Sequence, residues 1–349
     1  MTILGYSTDR LLASARKISP EWELGGVSDT DIIEPKAGST PLQRVCRLQR
    51  TTLTGVDQEA DSVERHEIRS ATPKMDPVAL SELVSTLEKR FEVATSMGLR
   101  LEPQAKLRGM LRVRLNCFRL EFGDDPPVKV APLKVRLKPD ATPTKAQPRR
   151  LPPNDRDFLE RHVAKLLEKK LVYRNTRSRW ASAPRIVRKK EQDYDPTADP
   201  RMTVDTRAVN DRTEAMPWTM PILEVVVGEL EGAKVFFVLD WFRGYWQLPL
   251  HPDSQEYITF VTHRGMYTPT RVPMGATDSV AYCQAVVEEI FGDLLGQGIL
   301  CWLDDILGYA ADEEGLMVLL DQVLERCERY GLKLHAKKEC AIVPSAFKA

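Results

Sequence analysis

Two short apolar runs in this 349-residue sequence end in acids. Val235-Phe236-Phe237-Val238-Leu239 runs into Asp240, and Ile299-Leu300-Cys301-Trp302-Leu303 runs into Asp304-Asp305. A buried strand does not tolerate an unpaired carboxylate, because a charge in a low-dielectric interior is costly without compensation. Three carboxylates brought together also repel one another, unless a cation neutralises them. Hard divalent cations take oxygen ligands and keep positions open for substrate phosphates. Acids at two strand ends therefore suit two-metal phosphoryl or nucleotidyl transfer, with metals holding the attacking and leaving oxygens. The structural alternative is that Asp240 caps a turn and Asp304-Asp305 close a hairpin.

The elements that must position these acids can be read from periodicity. Both apolar runs predict buried strands, the second stopping at Asp304-Asp305. A helix is predicted from about Ser279 to Leu295, and another over 313–330, with Leu316, Leu319, Leu320, Val323 and Leu324 on one stripe and Gly331 as its stop. Leu332-Lys333-Leu334-His335 predicts a further strand. Upstream, Val78, Leu80, Leu83, Leu87, Phe91 and Val93 predict an amphipathic helix over 78–101. Eight prolines between 126 and 153 predict an extended strap, with strand-like Val128-Lys129-Val130 and Val135-Arg136-Leu137-Lys138. Asn154 is expected to cap a helix bearing Phe158, Leu159, Val163, Leu166, Leu167 and Leu171, and 184–191 is strand-like before an Asp/Pro-rich loop. Residues 1–77 lack periodicity and are expected to be mostly disordered linker. Helices alternate with strands without a Gly-rich nucleotide loop, which predicts an α+β fold.

Net charge is zero, with 50 basic and 50 acidic residues, but the charge is segregated. Residues 129–190 carry +14 and residues 191–349 carry −13. A basic block of that size is the footprint of a polyanion-binding surface. The six cysteines include no Cys-x-x-Cys and are expected to be buried thiols. No apolar run approaches the ~18–20 residues needed to cross a bilayer. Met1 to Tyr6 lacks the basic and apolar regions of a signal peptide, so an intracellular chain is expected.

Six blocks in order carry a family resemblance. Phe237-Val238-Leu239-Asp240-Trp241-Phe242-Arg243-Gly244-Tyr245-Trp246-Gln247-Leu248 resembles the first palm motif of reverse transcriptases from gypsy-type LTR retrotransposons, and Trp302-Leu303-Asp304-Asp305 resembles their aromatic-x-Asp-Asp hairpin. Arg271-Val272-Pro273-Met274-Gly275 with Gln284 is similar to the block between them. Trp180 to Pro184, Arg188-Lys189-Lys190 and Arg201 to Asn210 resemble the fingers motifs. The resemblance covers roughly residues 78–343 and implies a right-hand polymerase fold, with fingers and a palm whose antiparallel sheet carries the catalytic acids.

By resemblance, Asp240, Asp304 and Asp305 are expected to be the catalytic carboxylates and the ligands of two Mg²⁺ (or Mn²⁺) ions, with the carbonyl of Trp241 as a further ligand. Tyr245 is expected under the sugar, where a ring excludes a 2′-OH. Lys190 (with Lys189 as the one-residue alternative) and Arg201 match residues that grip the incoming dNTP, and Met274 matches a position beside the sugar. Gln284 is expected at the nucleic-acid backbone or the template–primer pairs, and Asp205, Arg207 and Asn210 as braces of the fingers near the template. The implied partners are a template–primer duplex of RNA or DNA, and dNTP, with no membrane. The expected organisation is a linker over 1–77, a helical extension over 78–128 and fingers plus palm over 129–349.

The sequence departs from the pattern in places. Trp302 replaces Tyr or Phe, Met274 replaces Phe, and Arg243 stands where the family has a small residue beside Gly244. No counterpart of the primer grip, thumb, RNase H or integrase is found in the sequence, so the chain is expected to be a slice of a polyprotein, with a partner chain that supplies thumb or RNase H left open. Two rivals to an active RNA-directed DNA polymerase stand beside it: a catalytically silent, nucleic-acid-binding retroelement remnant, and an unrelated Mg²⁺-dependent phosphohydrolase.

Overall fold

The computed structural model describes residues 75–96, 98–188, 199–218, 230, 232–337 and 343–344. The acids sit on a four-stranded antiparallel sheet in the order β11-β5-β9-β8, formed by Val343–Pro344 (β11), Val235–Asp240 (β5), Asp305–Ala310 (β9) and Ile299–Trp302 (β8). Period-two alternation decides its faces. Phe237, Leu239, Ile306, Ile299 and Cys301 point into the core, whereas Phe236, Val238, Leu307 and the acids lie on the half-buried face. Phe237 stands opposite Gly308, where an added Cβ would lie 2.1 Å from the Phe237 ring. Glycine is therefore required there: the ring occupies the volume a side chain would need.

The core is closed by two helices, Ser279–Phe291 (α4) and Glu313–Tyr330 (α5). Helix α5 matches its predicted span, capped by the Asp312 carboxylate accepting from Gly315 N–H and stopped by Gly331 at φ 76. Helix α4 ends at Phe291 rather than near Leu295, because three glycines lie between 292 and 298. The second predicted strand ends at Trp302 instead of Leu303, and Asp305 opens β9 rather than closing β8. The Leu332–His335 strand shortens to Leu334–His335 (β10), which runs parallel to Phe118–Arg119 (β1).

The N-terminal part packs into this same core rather than standing apart as an extension. Helices Pro77–Ser96 (α1) and Leu101–Val113 (α2) bury Leu83, Leu87, Phe91, Leu107 and Leu111 in one cluster with α5. Ion pairs Arg100–Glu313, Lys106–Glu314 and Arg114–Glu328 line the α2–α5 contact. The predicted stripe of α1 is narrower than expected, since Val78, Leu80 and Val93 are exposed.

The strap after α2 is extended but forms no strand. It pairs one residue at a time, with Leu133 against Leu250 and Leu137 against Thr213, and Ala146 N–H donates to Ala181. Prolines remove the donors that a continuous ladder needs. The strap thus ties palm to fingers. The fingers comprise Pro153–Glu168 (α3), a three-stranded sheet ordered β2-β7-β6 (Val172–Arg174, Gly265–Pro269, Phe260–Thr262) and a hairpin of Ala183–Val187 (β3) with Arg201–Asp205 (β4). Helix α3 is capped at Pro152 with Pro153 as its first residue, so Asn154 lies inside the first turn instead of capping it. The Asp/Pro-rich loop, Lys189 and Lys190 lie largely outside the described residues, as do residues 1–74. Cys117, Cys283, Cys301 and Cys327 are buried free thiols, as read from the sequence.

Candidate active site

Asp240 ends β5, Asp305 begins β9, and the two are direct partners in the antiparallel register. Opposed residues point to the same face with Cβ atoms about 4.5–5.5 Å apart. Asp304 is the second residue of the two-residue turn that the Trp302–Asp305 pair closes. Leu303, the first, has φ 58. That position in a tight hairpin usually goes to glycine, and the left-handed backbone costs another residue about 1 kcal/mol.

The chain leaving Asp240 folds back against this turn. Trp241 N–H donates to the Asp304 carbonyl at 2.9 Å. Arg243 adopts φ 56, and a Cβ on the next residue, Gly244, would lie 3.3 Å from both the Cβ and a carboxylate oxygen of Asp304. Among the described residues three non-glycines have positive φ, and two of them, Arg243 and Leu303, flank the acids. Backbone strain concentrated in this way is a mark of functional sites. Tyr245 follows on the helical turn Gly244–Gln247 and is 9% exposed. Burial first, then the nearby Cys283 and Asp304, push its phenol well above the ordinary range, so the ring stays neutral.

A buried polar network holds this loop from behind. The Gln247 amide donates to the carbonyls of Phe242 at 2.6 Å and Lys333 at 2.8 Å, and its oxygen accepts from Lys333 N–H at 2.6 Å. Lys333 is 5% exposed, and its ammonium donates to the Asn116 carbonyl at 2.8 Å and lies 4.0 Å from Asp125. Asp125 in turn takes two hydrogen bonds from Arg119, at 2.7 and 2.8 Å. Burial, reinforced by Arg119, pulls the Lys333 pKa down, while Asp125 opposes it. Sequence reading missed these residues; the one signal was a lysine inside the apolar run Leu332–Leu334.

The other expected residues distribute unevenly. Arg201 is exposed at the start of β4, opposite Val187. Met274 is exposed, beside Gly275, whose carbonyl accepts from Thr206 Oγ1 and Asn210 Nδ2 and so joins this block to the fingers. The Arg207 guanidinium, with Arg149 beside it, holds Asp205 well below the usual carboxylate range, as suits a brace. Gln284 is 1% exposed on α4, and its side-chain oxygen has no hydrogen-bond partner among the described residues. Lys190 lies outside the described residues.

The donor set around the turn consists of hard oxygens: three carboxylates and the Trp241 carbonyl. Among the described residues no three His, Cys, Asp or Glu side chains form a group that could by itself hold a metal. Mg²⁺ does not require one. It is bound through one or two carboxylates, with water and substrate phosphates completing the octahedron. The residues present fit such an ion.

The sequence profile of the reverse transcriptase (RNA-dependent DNA polymerase) family matches residues 187–348. The Pol polyprotein of transposon 412 from Drosophila melanogaster is 27% identical over 205 residues, covering 59% of this chain and 16% of the polyprotein. That of transposon gypsy from the same fly is 27% identical over 169 residues, covering 48% of this chain and 16% of the polyprotein. The chain spans less than half the length of the curated relatives it matches. In three dimensions it is similar to the foamy viral protease–reverse transcriptase determined in complex with double-stranded DNA, with a TM-score of 0.65 and 19% identity over 78% of this chain and 46% of that one. Over residues 187–348, the stretch that contains the paired-strand acid site, the chain is thus similar to reverse transcriptases, with Pol polyproteins of the gypsy and 412 transposons among its relatives.

Proposed function

We propose that this chain adds deoxynucleotides to a primer 3′-OH under the direction of an RNA template, with Asp240, Asp304 and Asp305 as its catalytic carboxylates. The observation that carries the reading is the register pair Asp240–Asp305 with Asp304 in the adjoining turn. These carboxylates and the Trp241 carbonyl would hold Mg²⁺ (or Mn²⁺), which when bound lowers the pKa of the attacking hydroxyl and neutralises the departing pyrophosphate. The chain's own residues then orient the substrates. Tyr245, wedged beside Asp304 and kept uncharged, presents a ring edge where a ribose 2′-OH would collide, favouring deoxynucleotides. Arg201, together with Lys190, would grip the triphosphate, Arg as a planar fork and Lys as a point charge. The basic strap and α3 supply phosphate contacts that carry no sequence information, as copying any template requires.

The test is primer extension on an RNA template with Mg²⁺, comparing wild type with the Asp304→Asn/Asp305→Asn double variant. Wild type should extend the primer and the variant should fall by about 10³-fold, in line with several kcal/mol of lost metal stabilisation. Both should bind duplex with a steep salt dependence. If neither extends while both bind, the chain is a silent nucleic-acid-binding remnant.

A further inference from the structure

Arg243 lies three positions beyond Asp240, and the residue after it packs close to Asp304, so its backbone borders the acid site. Its guanidinium sits 5.0 Å above the Phe122 ring and 6.0 Å from that of Phe242, and these two rings pack edge to face at 5.9 Å. Stacking on a ring face fixes a guanidinium while leaving its N–H edge free to donate. Among the described residues no carboxylate pairs with Arg243: Asp199 and Glu121 act on it from beyond ion-pairing distance, and Asp199 pairs with Arg161. Arg201, from the fingers hairpin, stands close enough to repel it. Burial first and Arg201 second pull the Arg243 pKa down, although much of the side chain is exposed. Two guanidinia from different elements thus act on each other, and among the described residues no carboxylate pairs with Arg243. Like charges held together in this way are relieved by a bridging anion.

We propose that Arg243 is a substrate-contacting residue of this chain, an arm propped on Phe122 that donates to the phosphates of a nucleoside triphosphate or to the pyrophosphate it releases. The assignment rests on the nucleotide-transfer reading above and adds a residue that the family pattern does not supply, since a small side chain is expected there. It also gives the segment after β1 a part in the site: Phe122 sets where the arm points.

The test is calorimetric titration of the whole chain with inorganic tripolyphosphate, without metal, primer or template. Arg243→Ala should weaken binding at least about tenfold, the loss of one charge-assisted contact. Arg243→Lys should recover part of it, and Phe122→Leu should show an intermediate loss. Arg112→Ala, on α2 and remote from the acids, should bind within about twofold of wild type. Arg243→Gly relieves the left-handed backbone, so it should lose binding as Arg243→Ala does without a fall in Tm, which separates the guanidinium from any damage to the turn. Binding by Arg243→Ala or Arg243→Gly within twofold of wild type overturns the proposal, as does a wild type that does not bind tripolyphosphate. The two readings fail separately. A chain silent in primer extension whose tripolyphosphate affinity still depends on Arg243 loses the reaction and keeps the arm, whereas an active chain indifferent to Arg243 does the reverse.

Discussion

In the palm sheet, Phe237 lies so close over Gly308 that a methyl group has no room, β5 buries every second side chain, and its partner β9 buries Ile306. In the fingers hairpin, no residue of β4 is fully buried, and its Asp205 is held by Arg207 and Arg149 near the surface. The first construction locks its end residues, because a close-packed core transmits any displacement. The second rests on a backbone ladder and on surface ion pairs, each worth roughly 0–1 kcal/mol. This difference matches the tasks proposed for the two regions. Carboxylates that share a cation must hold their spacing, whereas a phosphate grip has to meet a substrate that arrives and leaves.

The comparison can be broken in several ways. Phe237→Ala should cost about 4 kcal/mol, from lost burial and the cavity left over Gly308. Denaturant unfolding measures this, and a loss below about 1 kcal/mol would mean that the palm is not tightly packed. Asp125→Ala should cost about 3 kcal/mol, because Arg119 and Lys333 stay buried with their carboxylate gone. Arg149→Ala on the fingers side should cost less than about 1 kcal/mol, and equal effects for these two variants would erase the contrast. Leu303→Gly should raise stability by about 0.5 kcal/mol by relieving the left-handed turn, offset in part by the entropy of glycine. An unchanged or lower Tm would show that the turn is unstrained.

The smallest expected effect is acid lability. Asp205 has its folded-state pKa depressed, first by the Arg207 hydrogen bond and then by the Arg149 charge, against a desolvation that raises it. Its stabilisation is therefore complete above the unfolded carboxylate pKa of about 3.9 and is lost as pH falls below that value. Amide protection in the β3–β4 hairpin should drop on acidification below about pH 4, and Asp205→Asn should remove that step. If the substituted hairpin keeps the same acid step, some other group holds it closed.

Much of the palm was legible because one period governs each element. The run 235–240 alternates cleanly, and α5 has a leucine stripe, a capping Asp and a stopping glycine. Legibility failed where packing outvoted local pattern. Val78 and Val93 look like core residues, but α1 packs against α2 over too narrow a stripe to cover them. Val128 and Val135 look like strand residues, yet Pro132 lies between them and the strap there makes only isolated bridges, at Leu133 and Leu137. Lys333, Asp125 and Arg119 are far apart in sequence, and no local rule announces that burial will bring them together.

The residue types and order alone determined that this chain has two acid-ended strands, a basic block beside an acidic half and the ordered motifs of one polymerase family. Those are properties of period and spacing, which any continuous segment carries with it. Tertiary structure alone decided that Asp240 and Asp305 face each other, that Asp304 crowds the space beside Gly244, and that Phe122 lies under Arg243. Such choices depend on register and volume between segments distant in the sequence, and only the folded core fixes those.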